Sequence, residues 1–216
     1  MGGVNATAAA GATGSFGRSP VIPVVTIDDP RRAVDLARAL VAGGLTAIEV
    51  TLRTPAALDC IRAVAGEVKG LVVGAGTVRD ARQADEARQA GARFLVSPGA
   101  TESLIEAVRE TGCPWLPGAG TVGEAMRLAE AGFAQLKFFP AEPSGGVAFL
   151  KAVAPVLPGI RFCPTGGIDA KNASAYLALP NVFAVGGSWV APSAALASGD
   201  YATIERLARE ATALRA

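Results

Sequence analysis

The sequence predicts an α/β protein, a single (β/α)8 TIM barrel, and three observations predict it. Eight short apolar runs rich in β-formers begin near Val21, Thr46, Leu71, Arg93, Pro114, Gln135, Ile160 and Val182, 21 to 25 residues apart. Segments with helical periodicity separate most of them. The corner Val73-Gly-Ala-Gly-Thr-Val78 has a near twin in Pro117-Gly-Ala-Gly-Thr-Val122, as equivalent positions in a repetitive barrel would. A length of 216 residues suits one such domain around a single core. An open doubly wound sheet is the alternative. A leucine-rich repeat shares the period but would need a Leu-x-x-Leu-x-Leu ladder that is missing.

Residues 1–19 read as a flexible N-terminal arm, because their small side chains cannot offset their own ordering entropy by burial. Residues 20–216 form the barrel domain in this reading. Pro30 to Ala42 carries Val34, Ala37, Leu40 and Val41 on one side and arginines on the other, which predicts a helix. Glu102 to Glu110 repeats the pattern with Leu104, Ile105 and Val108. Thr203 to Arg215 closes the chain with Ile204, Leu207, Ala208, Ala211 and Leu214 in one stripe. Gly43, Gly44, Gly112 and Gly132 stand where helix C-termini favour a left-handed residue.

Composition removes several function classes. Twenty Lys and Arg against 19 Asp and Glu leave a net charge of +1, with no electrostatic bias toward nucleic acid or an anionic membrane. No apolar run approaches the roughly 18 residues of a membrane span, and no secretory signal is read at the start. Three widely spaced cysteines, Cys60, Cys113 and Cys163, favour a reducing compartment, the cytoplasm, over a disulfide framework. The chain has no histidine. His-dependent nucleophile pairs and His-rich zinc sites are therefore excluded within one chain.

Gly118-Ala-Gly120-Thr-Val-Gly123 matches a dinucleotide fingerprint formally, but its twin ends in Arg79 where the third glycine belongs. A tight turn with Thr121 and Glu124 as a capping box is the better explanation.

Lys137 stands in Gln135-Leu-Lys-Phe-Phe-Pro140, an otherwise apolar strand. Alternation puts Leu136 and Phe138 toward the helices, and Lys137 and Phe139 toward the interior. A snorkelling lysine at a strand end is the ordinary alternative. However, only four of the twenty basic residues are lysine, and desolvated lysine can lose its proton where arginine cannot. An unperturbed lysine is neutral in about one molecule in a few thousand at pH 7, so a nucleophilic one needs a special environment. Glu49, in Thr46-Ala-Ile-Glu-Val-Thr-Leu-Arg53, also falls on an interior face, where a carboxylate is costly unless paired. A structural ion pair, with Lys137 itself as one partner, is the ordinary reading, and it does not oppose a role as proton carrier. Arg53 ends the same strand, where it could clamp a carboxylate. Thr165-Gly166-Gly167 and Gly186-Gly187-Ser188 follow the seventh and eighth runs, the habitual phosphate corners of a barrel.

Glu49-Val-Thr-Leu-Arg53-Thr, Gly74-Ala-Gly-Thr77, Ser97-Pro98-Gly99, Lys137-Phe-Phe-Pro140, Pro164-Thr165-Gly-Gly-Ile168 and Gly186-Gly-Ser188-Trp together resemble the bacterial KDPG/KHG aldolase family, from about Val21 to the C-terminus. The resemblance implies a class I aldolase that cleaves 2-keto-3-deoxy-6-phosphogluconate to pyruvate and glyceraldehyde 3-phosphate, and 4-hydroxy-2-oxoglutarate to pyruvate and glyoxylate. It implies Lys137 as the Schiff-base lysine and Glu49 as the acid/base. Arg53, Thr77, Pro98 and Phe139 would line the pyruvate end. Thr165, Gly166, Gly167, Gly187 and Ser188 would hold the phosphate. It further implies a homotrimer, no metal, and no cofactor beyond the imine. Two features depart from the family pattern: Gly120 replaces a larger residue, and the arm is longer. Alternatives are the phosphogalactonate substrate, a metal-dependent aldolase, or a non-covalent phosphosugar-binding barrel.

Overall fold

The computed structural model describes residues 16–215. Among the described residues, nine strands and nine helices follow one another, alternating except at β5–β6 and α8–α9: β1 (Val21–Val25), α1 (Pro30–Ala42), β2 (Ala47–Thr51), α2 (Ala57–Glu67), β3 (Val72–Gly76), α3 (Ala81–Gln89), β4 (Leu95–Val96), α4 (Glu102–Thr111), β5 (Trp115–Leu116), β6 (Gly118–Ala119), α5 (Val122–Glu130), β7 (Gln135–Phe138), α6 (Gly146–Val153), β8 (Arg161–Pro164), α7 (Ala173–Leu177), β9 (Val185–Gly187), α8 (Ser193–Ser198) and α9 (Tyr201–Thr212), with a closing 3-10 turn. All pairings are parallel.

The predicted closed barrel of eight strands is not what forms. Six strands make a curled sheet in the order β5-β4-β3-β2-β1-β9, and β6-β7-β8 make a separate small sheet. The break falls at Pro117, inside the fifth apolar run. Proline has no N–H to give a ladder. Its carbonyl still accepts from Lys137 N at 2.9 Å, so the chain changes partner there, from β4 to β7. On the other side, the isolated bridges Phe162↔Val182 and Thr165↔Gly186 join the β8 stretch to the β9 stretch. The last strand also starts at Val185 rather than Val182.

Local signals act as expected in the helices. Asp29 caps α1 by accepting from Arg31 N, with Pro30 in the first turn. Gly112 closes α4 in the left-handed region, φ 62°. Gly43 does not: its φ is −78°, and it is small for another reason. A Cβ there would lie 2.4 Å from that of Ala208, so the glycine lets α1 and α9 touch.

Alternation along the strands divides the core in two. Ile48, Val50, Leu136 and Phe138 point outward and pack under the helices. Ala47, Phe94, Leu116 and Cys163 form a second, inner cluster between the sheets. Of the predicted arm, residues 1–15 lie outside the described residues. Phe16 is buried in the inner cluster, edge-on to Phe94 at 5.6 Å, and Ser19 Oγ bonds Thr46 Oγ1 at 3.0 Å. No helix among the described residues is long and apolar enough to cross a membrane.

Candidate active site

β2 and β7 carry the two anomalous polar residues to one place. In β7 the large side chains of Leu136 and Phe138 claim the outer core, with Phe138 stacked on Phe149 at 4.7 Å, and this forces Lys137 inward. In β2, Ile48 and Val50 do the same for Glu49. Lys137 stands in register with Gly118 and Cys163, and Glu49 with Val24 and Gly74. Lys137 Nζ donates to Glu49 Oε1 at 3.2 Å, across 88 residues of sequence. The two side chains are only 7% and 4% exposed. The Phe139 ring lies 5.3 Å from Nζ, a cation–π distance.

Beside Lys137 on the neighbouring strand, Cys163 is buried. Burial pushes its thiol up to about 12, Glu49 adds to the rise, and Lys137 and a bond from Thr165 oppose it. The thiol is therefore neutral at pH 7 and acts as apolar lining.

The strand ends open into a cavity of about 350 Å³, lined by Arg53, Phe139, Thr165, Gly166, Gly167, Gly187 and Ser188 among others. Phe139 belongs to both the cavity wall and the lysine's surroundings. Gly166 and Gly167 have left-handed φ of 104° and 79°, which turns the loop after β8 over the cavity. Thr77 and Pro98 do not line this cavity. Thr77 Oγ1 accepts from Arg53 Nε at 3.2 Å, and Thr77 itself holds a left-handed φ of 61°, rare for a β-branched residue. Pro98 rests against Gly118, where a Cβ would come within 2.3 Å of the proline carbonyl.

The Gly118–Gly123 corner behaves as a turn. The Thr121–Glu124 capping box is present, and Glu124 Oε2 accepts from Gly120 N at 2.8 Å and Thr121 N at 3.0 Å. These are N–H groups that a pyrophosphate would need.

The sequence pattern of the KDPG and KHG aldolase family matches residues 14–207. The chain belongs to that family. It is 50% identical over 198 residues to the 2-dehydro-3-deoxy-phosphogluconate aldolase of Pseudoalteromonas atlantica, covering 92% of each chain. It is also 50% identical to the KHG/KDPG aldolase of Escherichia coli K12, over 89% of this chain and 90% of that one. Among solved structures, the KDPG aldolase of Legionella pneumophila, with pyruvate captured at low pH as a covalent carbinolamine intermediate, superimposes with a TM-score of 0.89. It is 42% identical, with 92% of this chain and 96% of that chain covered.

Further residues pack against the two glycine corners. Glu142 lies against Gly167, where a Cβ would meet its Cγ at 2.6 Å, and the Tyr176 hydroxyl donates to Glu142 Oε1. Burial first, and then Glu142, raise the Tyr176 phenol well above its ordinary value. Gly187 is small because the Trp189 ring occupies the space of its Cβ. None of these contacts follows a period of two or 3.6, so pattern alone could not find them.

Proposed function

We propose that the chain is a class I aldolase that cleaves 2-keto-3-deoxy-6-phosphogluconate to pyruvate and glyceraldehyde 3-phosphate, and 4-hydroxy-2-oxoglutarate to pyruvate and glyoxylate. The observation that carries it is the buried Lys137–Glu49 contact, linked through Phe139 to an open cavity whose lining includes Arg53 and the two glycine corners. The relatives' names, and the carbinolamine in the Legionella pneumophila enzyme, support the same chemistry.

The free-amine form of Lys137 adds to the C2 ketone, and loss of water gives an imine whose protonated nitrogen is the electron sink. Arg53 holds the substrate carboxylate so that C2 lies within reach of Nζ. Glu49 takes the proton of the C4 hydroxyl, the C3–C4 bond breaks, and its electrons pass into the imine to leave an enamine. The aldehyde departs. Glu49 returns the proton to C3, and water releases pyruvate from Lys137. The covalent imine supplies the electron sink, so no separate cofactor enters the scheme.

Thr165, Gly166, Gly167, Gly187 and Ser188 bind the phosphate, through hydroxyls and the N–H groups of the two corners. Thr77 supports Arg53, Pro98 shapes the wall beside Lys137, and Phe139 covers the imine. We place the enzyme in the cytoplasm as a homotrimer, with residues 20–216 as its catalytic domain. The three free cysteines agree with a reducing compartment. Sedimentation of the purified protein tests the trimer. The activity itself is tested by pyruvate release from the two substrates and from the phosphogalactonate epimer. Release from neither of the first two would end the proposal.

A further inference from the structure

A Cβ built on Gly76, the last residue of β3, would lie 2.1 Å from Glu49 Oε1, 2.5 Å from its Cγ and 2.6 Å from its Cδ. Oε1 is the same oxygen that accepts from Lys137. The carboxylate thus lies flat on the bare Cα of Gly76. We infer that Gly76 is a positioning residue for proton transfer: its missing side chain leaves the space in which the Glu49 carboxylate reaches Lys137.

The collision cannot be relieved by turning the carboxylate alone, because Cγ is as crowded as the oxygen, so the whole side chain would have to swing away. Thr51, two residues along the same face, is itself fixed by bonds to Val25 O at 3.1 Å and Thr26 Oγ1 at 2.8 Å. Gly76 is not left-handed, unlike Gly166 and Gly167, so an alanine there adds a methyl group without backbone strain. Its carbonyl continues to accept from Leu52 N at 2.8 Å. Gly74, on the same strand, is small for a different reason: the Phe94 ring fills its Cβ space at 2.3 Å. The two glycines of one motif therefore serve a packed floor and a proton carrier respectively.

The inference rests on Glu49 being the proton carrier, and a double-mutant cycle separates the two claims. Gly76→Ala should lower kcat by about 100-fold with little change in KM, the low end of losses from a displaced acid/base. Exchange of pyruvate methyl protons should fall by the same factor, while borohydride still traps pyruvate on Lys137. In a Glu49→Gln background, Gly76→Ala should add less than about twofold, since contacting residues that act together are not additive. Wild-type turnover in Gly76→Ala, or its full loss repeated in the Glu49→Gln background, would overturn the inference. Near-wild-type turnover of Glu49→Gln alone would sink the Glu49 assignment, and the inference with it. If Gly76→Ala is too unstable to assay, melting of Gly76→Ala/Glu49→Ala decides. Without Cγ there is nothing to strike, so the pair should melt with Glu49→Ala alone. A pair as unstable as Gly76→Ala would place the clash elsewhere and overturn the inference.

Discussion

Lys137 Nζ and Glu49 Oε1 lie 3.2 Å apart, with both side chains less than a tenth exposed. Every other ion pair recorded among the described residues has both partners at least 38% exposed. Exposed pairs of that kind contribute little, whereas a buried pair carries a desolvation cost that packing could avoid. A pair kept at that cost inside β2 and β7, next to the cavity-wall residue Phe139, is the feature that a catalytic role would explain.

Glu49→Gln keeps the shape and one acceptor atom but removes the base. Turnover should fall by about 10²–10⁴, and exchange of pyruvate methyl protons should fall in parallel. Steady-state assay and proton NMR of pyruvate in heavy water measure the two. Wild-type values in both would return Glu49 to a structural ion pair.

Ser188 lines the cavity just after β9, and its corner neighbours the Thr165-Gly166-Gly167 corner through the Thr165↔Gly186 bridge. Ser188→Leu should block a phosphate there and leave Lys137 untouched. A hydrogen bond to a charged group is worth roughly 1.5–3 kcal/mol, so kcat/KM on the phosphorylated substrate should drop by at least about tenfold. Cleavage of 4-hydroxy-2-oxoglutarate, which has no phosphate, should be largely spared. Equal loss on both substrates would assign Ser188 to support of the sheet rather than to the anion.

The capping box at α5 gives a pH-dependent stability. Bonds from Gly120 N, and then from Thr121, hold the Glu124 carboxyl below its ordinary value of 4.5. A lowered carboxyl stabilises the fold above its unfolded value and loses that contribution as pH falls through the folded one. Glu124→Gln should therefore melt lower than wild type at pH 7, by about 2–4 °C if the charged cap is worth about 1 kcal/mol. The gap should close below pH 4.5. A gap unchanged from pH 7 to pH 3 would mean that the charge plays no part.

Much of this site was legible because polar residues on an inward face of an apolar strand are conspicuous. Lys137 and Glu49 needed only a period of two. The α1 boundaries, from Pro30 to Ala42, and the Thr121–Glu124 cap followed from local chemistry that no distant contact overrides. The closed barrel failed at Pro117, where one missing N–H splits a strand whose apolar pattern runs on unbroken. Thr77 and Pro98 were expected at the pyruvate end from resemblance alone, and the contacts that hold them, a bond from Arg53 and the bareness of Gly118, follow no sequence period. Gly43 and Gly76 are read as turn or motif glycines in the sequence. Their real partners, Ala208 and Glu49, are fixed by tertiary approach alone.

The covalent role of Lys137 is the centre of the account, and trapping tests it most directly. Pyruvate with borohydride should add one reduced adduct per chain, and peptide mapping should place it on Lys137, the one lysine of the four that is buried within a strand. An adduct on Lys69, Lys151 or Lys171, or no adduct in a protein that still cleaves its substrate, would contradict it.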